Sequence, residues 1–196
     1  DRVGKELKPE RIYELFTAEY VDLNTPYRLV KHAFAETTDA ETLIERALRY
    51  KKYWGKDGKR GGITVSGGEP MLQMEFVTAL FELAHQRGVH TVLDTAGQPY
   101  RADAADQRAF ERLMDVTDLV MLDLKAMDEK LHRRVTGTGN ANILAMAQKL
   151  SDMGKPMWIR HVLVPGLTDG EDDLREMAAF IGTLKNVERV EILPYH

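Results

Sequence analysis

The fold of this chain is decided by residues 62–93, which read GITVSGGEPMLQMEFVTALFELAHQRGVHTVL. A short β-branched run comes first, followed by a turn with two glycines and a proline. The next stretch places Phe76, Leu80 and Leu83 at helical spacing, and a second β-branched run follows it. This order of strand, helix and strand predicts one βα unit of a parallel sheet.

The same alternation continues to the end of the chain. Five apolar runs are predicted strands, at residues 63–65, 89–93, 119–124, 157–164 and 187–193. Two later stretches carry helical stripes, formed by Ile143, Ala147 and Leu150 and by Leu174, Met177 and Ile181. We therefore predict an α/β fold in which helices cover a parallel sheet that is open or rolled into part of a barrel.

Residues 1–60 lack this alternation and are predicted to be helical. Three helices are expected there, over residues 9–20, 27–34 and 40–54. Thr38 and Glu41 resemble a capping box that would open the third helix. The chain thus divides into a helical segment of uncertain role, 1–60, and a β/α segment, 61–196.

The Gly-rich basic run at residues 55–62 joins these two segments, and we predict an exposed loop there. A phosphate-binding loop is the alternative. The run lacks the terminal Lys-Ser/Thr pair of such loops, which favours the exposed loop.

Charge, hydropathy and cysteine content exclude or disfavour several classes of protein and site. The chain has 196 residues, with 27 basic and 31 acidic side chains and a net charge of −4, unlike the basic surface of nonspecific nucleic-acid binders. No stretch approaches the roughly 18 to 20 apolar residues of a membrane helix, and no leader pattern opens the chain, so we expect a cytoplasmic location. The chain contains no cysteine, which excludes disulfides, cysteine nucleophiles and thiolate metal sites within it.

Ligands of parallel α/β folds bind at the carboxyl ends of the strands, so the residues after each apolar run are candidates for a site. After the first run, Gly67 and Gly68 let a ligand approach backbone N–H groups, and Glu69 would suit an amine. A simple strand-to-helix turn with an exposed acid is the alternative interpretation of these residues.

Oxygen-bearing side chains end the next two predicted strands. Asp94, Thr95 and Asp123 supply ligands suited to a hard cation, which could in turn hold a ligand carboxylate. Met121 shares a strand face with Asp123, and core filling is its ordinary explanation. For Asp94 the alternative role is to cap the following helix.

Arg160 and His196 end two further predicted strands, where they could bind a carboxylate, a ribose or an adenine edge. Asp123 could instead form an ion pair with Lys125 or Arg160. His161 points to the face opposite Arg160 and is expected to be packed or on the surface.

Five segments together resemble a known family. They are GGITVSGGEP (61–70), LDTAG (93–97), DLVMLDLK (118–125), WIRHVLVPG (158–166) and EILPYH (191–196). In this order they are similar to the glycyl-radical-enzyme activating enzymes of the radical S-adenosylmethionine superfamily, and most similar to the members that act on pyruvate formate-lyase. The resemblance covers residues 61–196.

The resemblance implies a partial parallel β/α barrel of which this chain holds five of six strands. In that family a 4Fe–4S cluster passes one electron to S-adenosylmethionine, and the adenosyl radical then abstracts a glycine Hα of the partner enzyme. The implied partners are a glycyl radical enzyme, pyruvate formate-lyase, and an electron donor such as flavodoxin. No catalytic side chain is implied, because the cofactor carries the radical chemistry.

The family motifs also imply roles for individual residues. The residues implied to bind S-adenosylmethionine are Gly67, Gly68, Glu69, Asp123, Leu124, Lys125, Arg160 and His196. A monovalent cation is implied at Asp94, Thr95, Met121 and Asp123. Met121 would bind this cation through its carbonyl oxygen, which suits a hard ion better than sulfur does.

The sequence departs from the family at the cluster. The family's cluster is held by a CxxxCxxC loop after the first strand, and residues 1–61 contain no cysteine. We expect a fragment that lacks this loop and is inactive alone; a natural relative without a cluster is the alternative. Two other functions stay open: a divalent-metal hydrolase built on Glu69, Asp94 and Asp123, and a noncatalytic binding module that uses residues 1–60 and the basic loop.

Overall fold

One parallel sheet organises the part of the chain that the structure describes. The structure, a computed structural model, describes residues 38–54, 61–102 and 107–195. Its strands are β1 (Gly62–Val65), β2 (His90–Thr95), β3 (Leu119–Asp123), β4 (Met157–Leu163) and β5 (Val187–Pro194). All five predicted strands are present, which confirms the β/α pattern. The predicted helices over 9–20 and 27–34, most of the basic loop, and His196 lie outside the described residues.

The strands are parallel and lie in the order β1-β2-β3-β4-β5, the order in which the chain makes them. Crossover connections between parallel strands are right-handed, so a sheet that grows in one direction carries its helices on one face. The fold is therefore of the barrel-forming type and not the doubly wound type, as the α/β partial-barrel prediction requires.

Six α-helices occur in the described ranges. They are α1 (Ala40–Leu48), α2 (Met74–Gln86), α3 (Gln107–Asp115), α4 (Glu129–Thr136), α5 (Ala141–Asp152) and α6 (Glu171–Thr183). Short 3₁₀ turns cover Lys51–Tyr53 and Pro70–Gln73. In this part of the chain, each helix is too short or too polar to cross a membrane.

The core lies between the sheet and this helical layer. Leu93, Leu122 and Ile159 project from successive strands and have no exposed surface, and Phe81 and Phe110 pack against them from the helices. Burial of each such side chain contributes about 1.5–3 kcal/mol. Because side chains alternate along a strand, their neighbours in sequence lie on the other face of the sheet, which is where the charged residues are found.

The buried stripe of α2 differs from the prediction. The structure buries Val77, Leu80, Phe81 and Ala84, whereas Phe76 and Leu83 are only partly buried. The apolar spacing predicted a helix, but it did not determine which of the apolar side chains face the core. The stripe predicted for α5 is confirmed, since Ile143, Ala147 and Leu150 are all buried.

Helix α1 begins at Ala40 as predicted, but its cap and its end differ from the prediction. Asp39, not Thr38, is the N-cap, and its carboxylate accepts a hydrogen bond of 2.7 Å from Thr42 N. The helix ends at Leu48 and the 3₁₀ turn Lys51–Tyr53 follows; Trp54 then lies close to Gly61, the residue before β1. Ile44 is fully buried in the same core as α2, so α1 is part of the barrel unit.

Candidate functional site

The carboxyl ends of the strands bring several predicted site residues together. Asp94 on β2 is paired in register with Met121 on β3, and Asp123 on β3 is paired with Arg160 on β4. Paired residues project to the same side of a parallel sheet, and in each strand the neighbouring residue faces the core. Four of the predicted residues therefore line one face of the sheet.

The charged side chains on this face form one network. Arg160 Nη1 donates a 2.8 Å hydrogen bond to Asp94 Oδ2, and Lys125 Nζ donates a 2.7 Å bond to Asp123 Oδ2. Each of these side chains is only 21–25% exposed. Two cations thus balance two carboxylates. The ion-pair interpretation of Asp123 is confirmed, closely for Lys125 and at 3.9 Å for Arg160. Asp94 pairs with Arg160, and in the described part of the chain it caps no helix.

One oxygen of this network has no hydrogen-bond donor. Asp123 Oδ1 is buried without a partner among the described residues. Arg160 Nε lies 3.9 Å away, within ion-pair range but beyond hydrogen-bond distance. A buried carboxylate oxygen without a donor is unfavourable, so this atom fits a bound cation or a ligand N–H or O–H group.

The turn after β1 supplies open backbone at the same end of the sheet. Gly67 and Gly68 have φ angles of 87° and 52°, in the left-handed region. A Cβ added at either position would meet no atom within 4 Å. Residues other than glycine are disfavoured there by about 1–2 kcal/mol, so the sequence maintains a bare turn that a ligand can approach closely.

Glu69 links this turn to the end of β2. Its Oε1 accepts hydrogen bonds from Thr95 Oγ1 at 2.5 Å and from Met71 N at 3.0 Å, and its Oε2 accepts one of 2.9 Å from Ala96 N. The carboxylate therefore caps the 3₁₀ turn and is held in one orientation. Oε2 keeps a free acceptor position, since a carboxylate oxygen can accept two bonds.

Two predicted site residues direct their side chains away from the charged face. Thr95 is 2% exposed, and its hydroxyl bonds Glu69 on the core side of β2, so it does not join Asp94. Leu124 has no exposed surface, and its N–H donates to Arg160 O at 2.8 Å. These two residues could therefore contact a ligand on the charged face only through their backbone atoms.

The arrangement does not support the hydrolase hypothesis. Among the residues that the structure describes, no group of three or more His, Asp or Glu side chains could hold a metal ion. Glu69 is bonded to the end of β2, Asp94 to Arg160 and Asp123 to Lys125. These three carboxylates are therefore not a joint ligand set.

Sequence reasoning missed two side chains that hold the loop after β3. Asn140 bonds the backbone of this loop from the residue before α5, and Asp173 bonds it from the first turn of α6. Their partners lie 13 and 46 residues away in sequence, so no local spacing could have shown them. Only their position next to helix starts was visible, and that position favours helix capping.

Comparison with known proteins decides the family. The sequence profile of the radical SAM superfamily matches residues 30–181, well over half of the chain. The chain belongs to the radical SAM superfamily. The resemblance found in the sequence is thereby confirmed, and with it the assignment to a superfamily whose norm is a 4Fe–4S cluster and S-adenosylmethionine.

Among curated relatives, the chain is similar to enzymes named for activation of pyruvate formate-lyase. It is 52% identical over 167 residues to the pyruvate formate-lyase-activating enzyme of Streptococcus mutans, an alignment that covers 85% of this chain and 62% of the relative. It is 51% identical over 156 residues to the enzyme of Staphylococcus aureus, covering 80% and 61%. The chain thus spans about three fifths of the length of these radical SAM relatives.

Solved structures agree with this assignment. A domain of pyruvate-formate lyase-activating enzyme from Bacteroides vulgatus superposes with a TM-score of 0.63 at 29% identity, covering 69% of this chain and 81% of that one. Streptococcus suis SuiB, bound to the precursor peptide SuiA, gives a TM-score of 0.64 at 19% identity, covering 82% of this chain and 34% of SuiB. The second similarity supports the radical SAM fold alone.

The residues present fit one of the family's two cofactors. The open glycine turn and the unpaired Asp123 oxygen fit a polar ligand such as S-adenosylmethionine. The chain contains no cysteine, so it offers no thiolate for a 4Fe–4S cluster. No electron-transfer step is therefore assigned to the residues of this chain.

Proposed function

We propose that this chain is the S-adenosylmethionine-binding core of an enzyme that activates pyruvate formate-lyase by forming a glycyl radical on it. The proposal is carried by an open turn at Gly67 and Gly68 together with an Asp123 oxygen that has no hydrogen-bond donor among the described residues. Both lie at the carboxyl ends of strands in a radical SAM chain. The names of its curated relatives support pyruvate formate-lyase as the protein substrate.

The polar atoms of the site suggest how the ligand is held. The backbone of Gly67 and Gly68 and the free acceptor position on Glu69 Oε2 suit the methionyl ammonium group. Arg160 and Lys125, at the opposite side of the network, suit its carboxylate or the nucleoside. Leu124 would border the cofactor through its backbone. His196, which the family motif implies as a further cofactor-binding residue, lies outside the described residues.

A monovalent cation is proposed next to this ligand. Each aspartate would contribute the oxygen that its hydrogen-bonded ion pair does not use: Oδ1 of Asp94, since Arg160 bonds Oδ2, and Oδ1 of Asp123, which has no donor among the described residues. Thr95 and Met121 would contribute carbonyl oxygens, because the Thr95 hydroxyl is engaged by Glu69 and a thioether is a poor ligand for a hard ion. The cation would bind the ligand carboxylate and offset its charge beside the two aspartates.

When bound and reduced by one electron, S-adenosylmethionine supplies the group that abstracts a glycine hydrogen atom of the partner. The residues of this chain bind and orient the ligand for that step. We propose that the chain alone is inactive, and that the cluster and a donor such as flavodoxin act in the whole protein. A cytoplasmic location is part of the same proposal.

Calorimetric titration of the chain with S-adenosylmethionine tests the binding function. We expect weak, saturable binding that Gly68→Ala lowers at least tenfold, about 1.4 kcal/mol, because the methyl group fills the approach to the backbone. Gly88→Ala is a matched control. Gly88 has φ 66°, has open space around it, and lies before β2 at the opposite end of the sheet. Absence of binding by the unmodified chain, or an equal loss in both variants, contradicts the proposal.

The partner is tested separately. We expect immobilised pyruvate formate-lyase to retain the chain, whereas an unrelated enzyme of similar charge does not. Equal retention on both surfaces would contradict the partner while leaving ligand binding untouched.

A further inference from the structure

A fully buried histidine faces the backbone of the segment that follows β3. His161 on β4 has no exposed surface. Its Nδ1 lies 2.9 Å from Leu124 O, and its Nε2 lies 3.2 Å from Thr168 O. Both neighbours are carbonyl oxygens, which only accept hydrogen bonds, and a neutral imidazole has one N–H to donate. The shorter contact indicates that Nδ1 is the donor and Leu124 O its acceptor.

The rest of this segment, residues 124–128, is held by two more side chains. Asn140 Nδ2 donates to Met127 O at 2.6 Å and to Ala126 O at 3.2 Å. Asp173 Oδ1 accepts bonds of 2.9 Å from Met127 N and 2.7 Å from Asp128 N. Backbone groups at both ends and in the middle of the segment are therefore fixed by side chains from different elements.

The contact between His161 and Leu124 O affects the site because Leu124 lies between two site residues. Leu124 stands between Asp123 and Lys125, whose side chains form the 2.7 Å ion pair of the charged face. Rotation of the Leu124 carbonyl would turn the peptide plane that joins Leu124 to Lys125 and so displace the ammonium group. Among the three side chains that hold this segment, His161 therefore contacts the backbone nearest to Asp123 and Lys125.

We propose that His161 is a positioning residue: by donating from Nδ1 to the carbonyl oxygen of Leu124, it sets the placement of Asp123 and Lys125 for the bound ligand. The identity of that ligand as S-adenosylmethionine rests on the proposed function. The placement of the two side chains does not, so the two claims can fail separately.

Two amide variants distinguish positioning from simple packing. His161→Asn keeps a donor at the place of Nδ1 and can still bond Leu124 O, whereas His161→Gln keeps one near the place of Nε2 and can bond only Thr168 O. Both variants bury an amide in the same pocket, so their thermal stabilities should be similar. A merely structural role would affect both equally.

The first readout needs no ligand. In the unmodified protein, ring nitrogen NMR should show a proton on Nδ1 of His161; an Nδ1 without a proton overturns the proposal. In the variants, the carbonyl carbon shift of Leu124 and the hydrogen exchange of amides 125–128 should stay near those of the unmodified protein for His161→Asn and change for His161→Gln. Equal changes in both variants overturn it as well.

The second readout is affinity for S-adenosylmethionine. We expect His161→Asn to bind within about twofold of the unmodified chain and His161→Gln to bind roughly tenfold more weakly, the size of effect typical of residues that orient a binding group. An equal loss in both variants contradicts positioning. If the unmodified chain binds no S-adenosylmethionine, the proposed function fails, and the NMR and exchange measurements still decide the role of His161.

Discussion

Each end of the sheet carries a partly buried aspartate, but the hydrogen bonding of the two carboxylates differs. At the amino end, Asp118 Oδ2 accepts hydrogen bonds from Thr91 N at 2.8 Å and Thr91 Oγ1 at 3.2 Å, and lies 3.2 Å from His85 Nε2. At the carboxyl end, Asp123 bonds Lys125 through one oxygen and leaves the other buried without a donor. Asp118 therefore has a structural role, whereas Asp123 still has an oxygen that can bind a ligand.

A half-buried lysine, Lys155, strengthens the contrast. Lys155 Nζ donates 2.7 Å to Thr117 O at the amino end, and burial lowers the pKa of its ammonium group. Its hydrogen bond goes to the backbone and closes the loop before β3. Barrel-type folds place stabilising contacts at the amino ends of strands and ligand sites at the carboxyl ends, and the hydrogen bonding of the two aspartates follows that division.

The largest effect that tests this comparison is on stability. We expect Asp118→Ala to lower the free energy of unfolding by about 2 kcal/mol, because it leaves the N–H of the fully buried Thr91 without a partner. Asp123→Ala should lower it by less than about 1 kcal/mol. It removes the ion pair with Lys125 and the 3.9 Å contact with Arg160, but it also removes a buried oxygen that has no donor, and the pair of Arg160 with Asp94 remains. Urea denaturation of the two variants measures both values. Equal losses would mean that the two ends are built alike.

The strands could be predicted because their signal is local. β-branched runs bounded by turn residues mark them, and alternation along each strand separates a core residue such as Leu93 from a site residue such as Asp94. The same alternation shows that the Thr95 side chain must leave the face of Asp94, a consequence that the motif resemblance obscured. Strand-end position was enough to bring Asp94, Asp123 and Arg160 together.

The local pair of Asp123 with Lys125 was predicted. The longer-range pairing within the site could not be predicted, because it depends on register and on distant elements. Arg160 bonds Asp94 across 66 residues and across an intervening strand, although Asp123 is its partner in register. The anchor of Glu69 on Thr95 likewise joins residues 26 apart through the geometry of two strand ends. Sequence patterns give the face on which a side chain lies, but not which neighbour it contacts.

A smaller effect sharpens the comparison through ligand binding. At ten times its dissociation constant, a ligand that binds only the folded chain raises the free energy of unfolding by about 1.4 kcal/mol. With S-adenosylmethionine as this ligand, we expect the full increase for Asp118→Asn and a smaller one for Asp123→Asn. Thermal shift titrations of the two variants and the unmodified chain provide the measurement. A reversed order would place the ligand at the amino end.

The smallest expected effect is on the pH dependence of stability. Burial raises the pKa of Asp118, but the hydrogen bonds from Thr91 N–H and His85 outweigh it, so this pKa lies below its ordinary value. As the pH falls through about 4, the Asp118 carboxyl is protonated in the unfolded chain before it is protonated in the folded chain. The folded chain therefore loses stability as the pH falls further, towards the lowered pKa. Asp118→Asn removes this contribution, so its unfolding free energy should fall less steeply than that of the unmodified chain between about pH 5 and pH 3. If the unfolding free energies of the two proteins fall equally with pH, the charge of Asp118 does not contribute to stability. Its hydrogen bonds would then stabilise the chain no more than those of a neutral side chain.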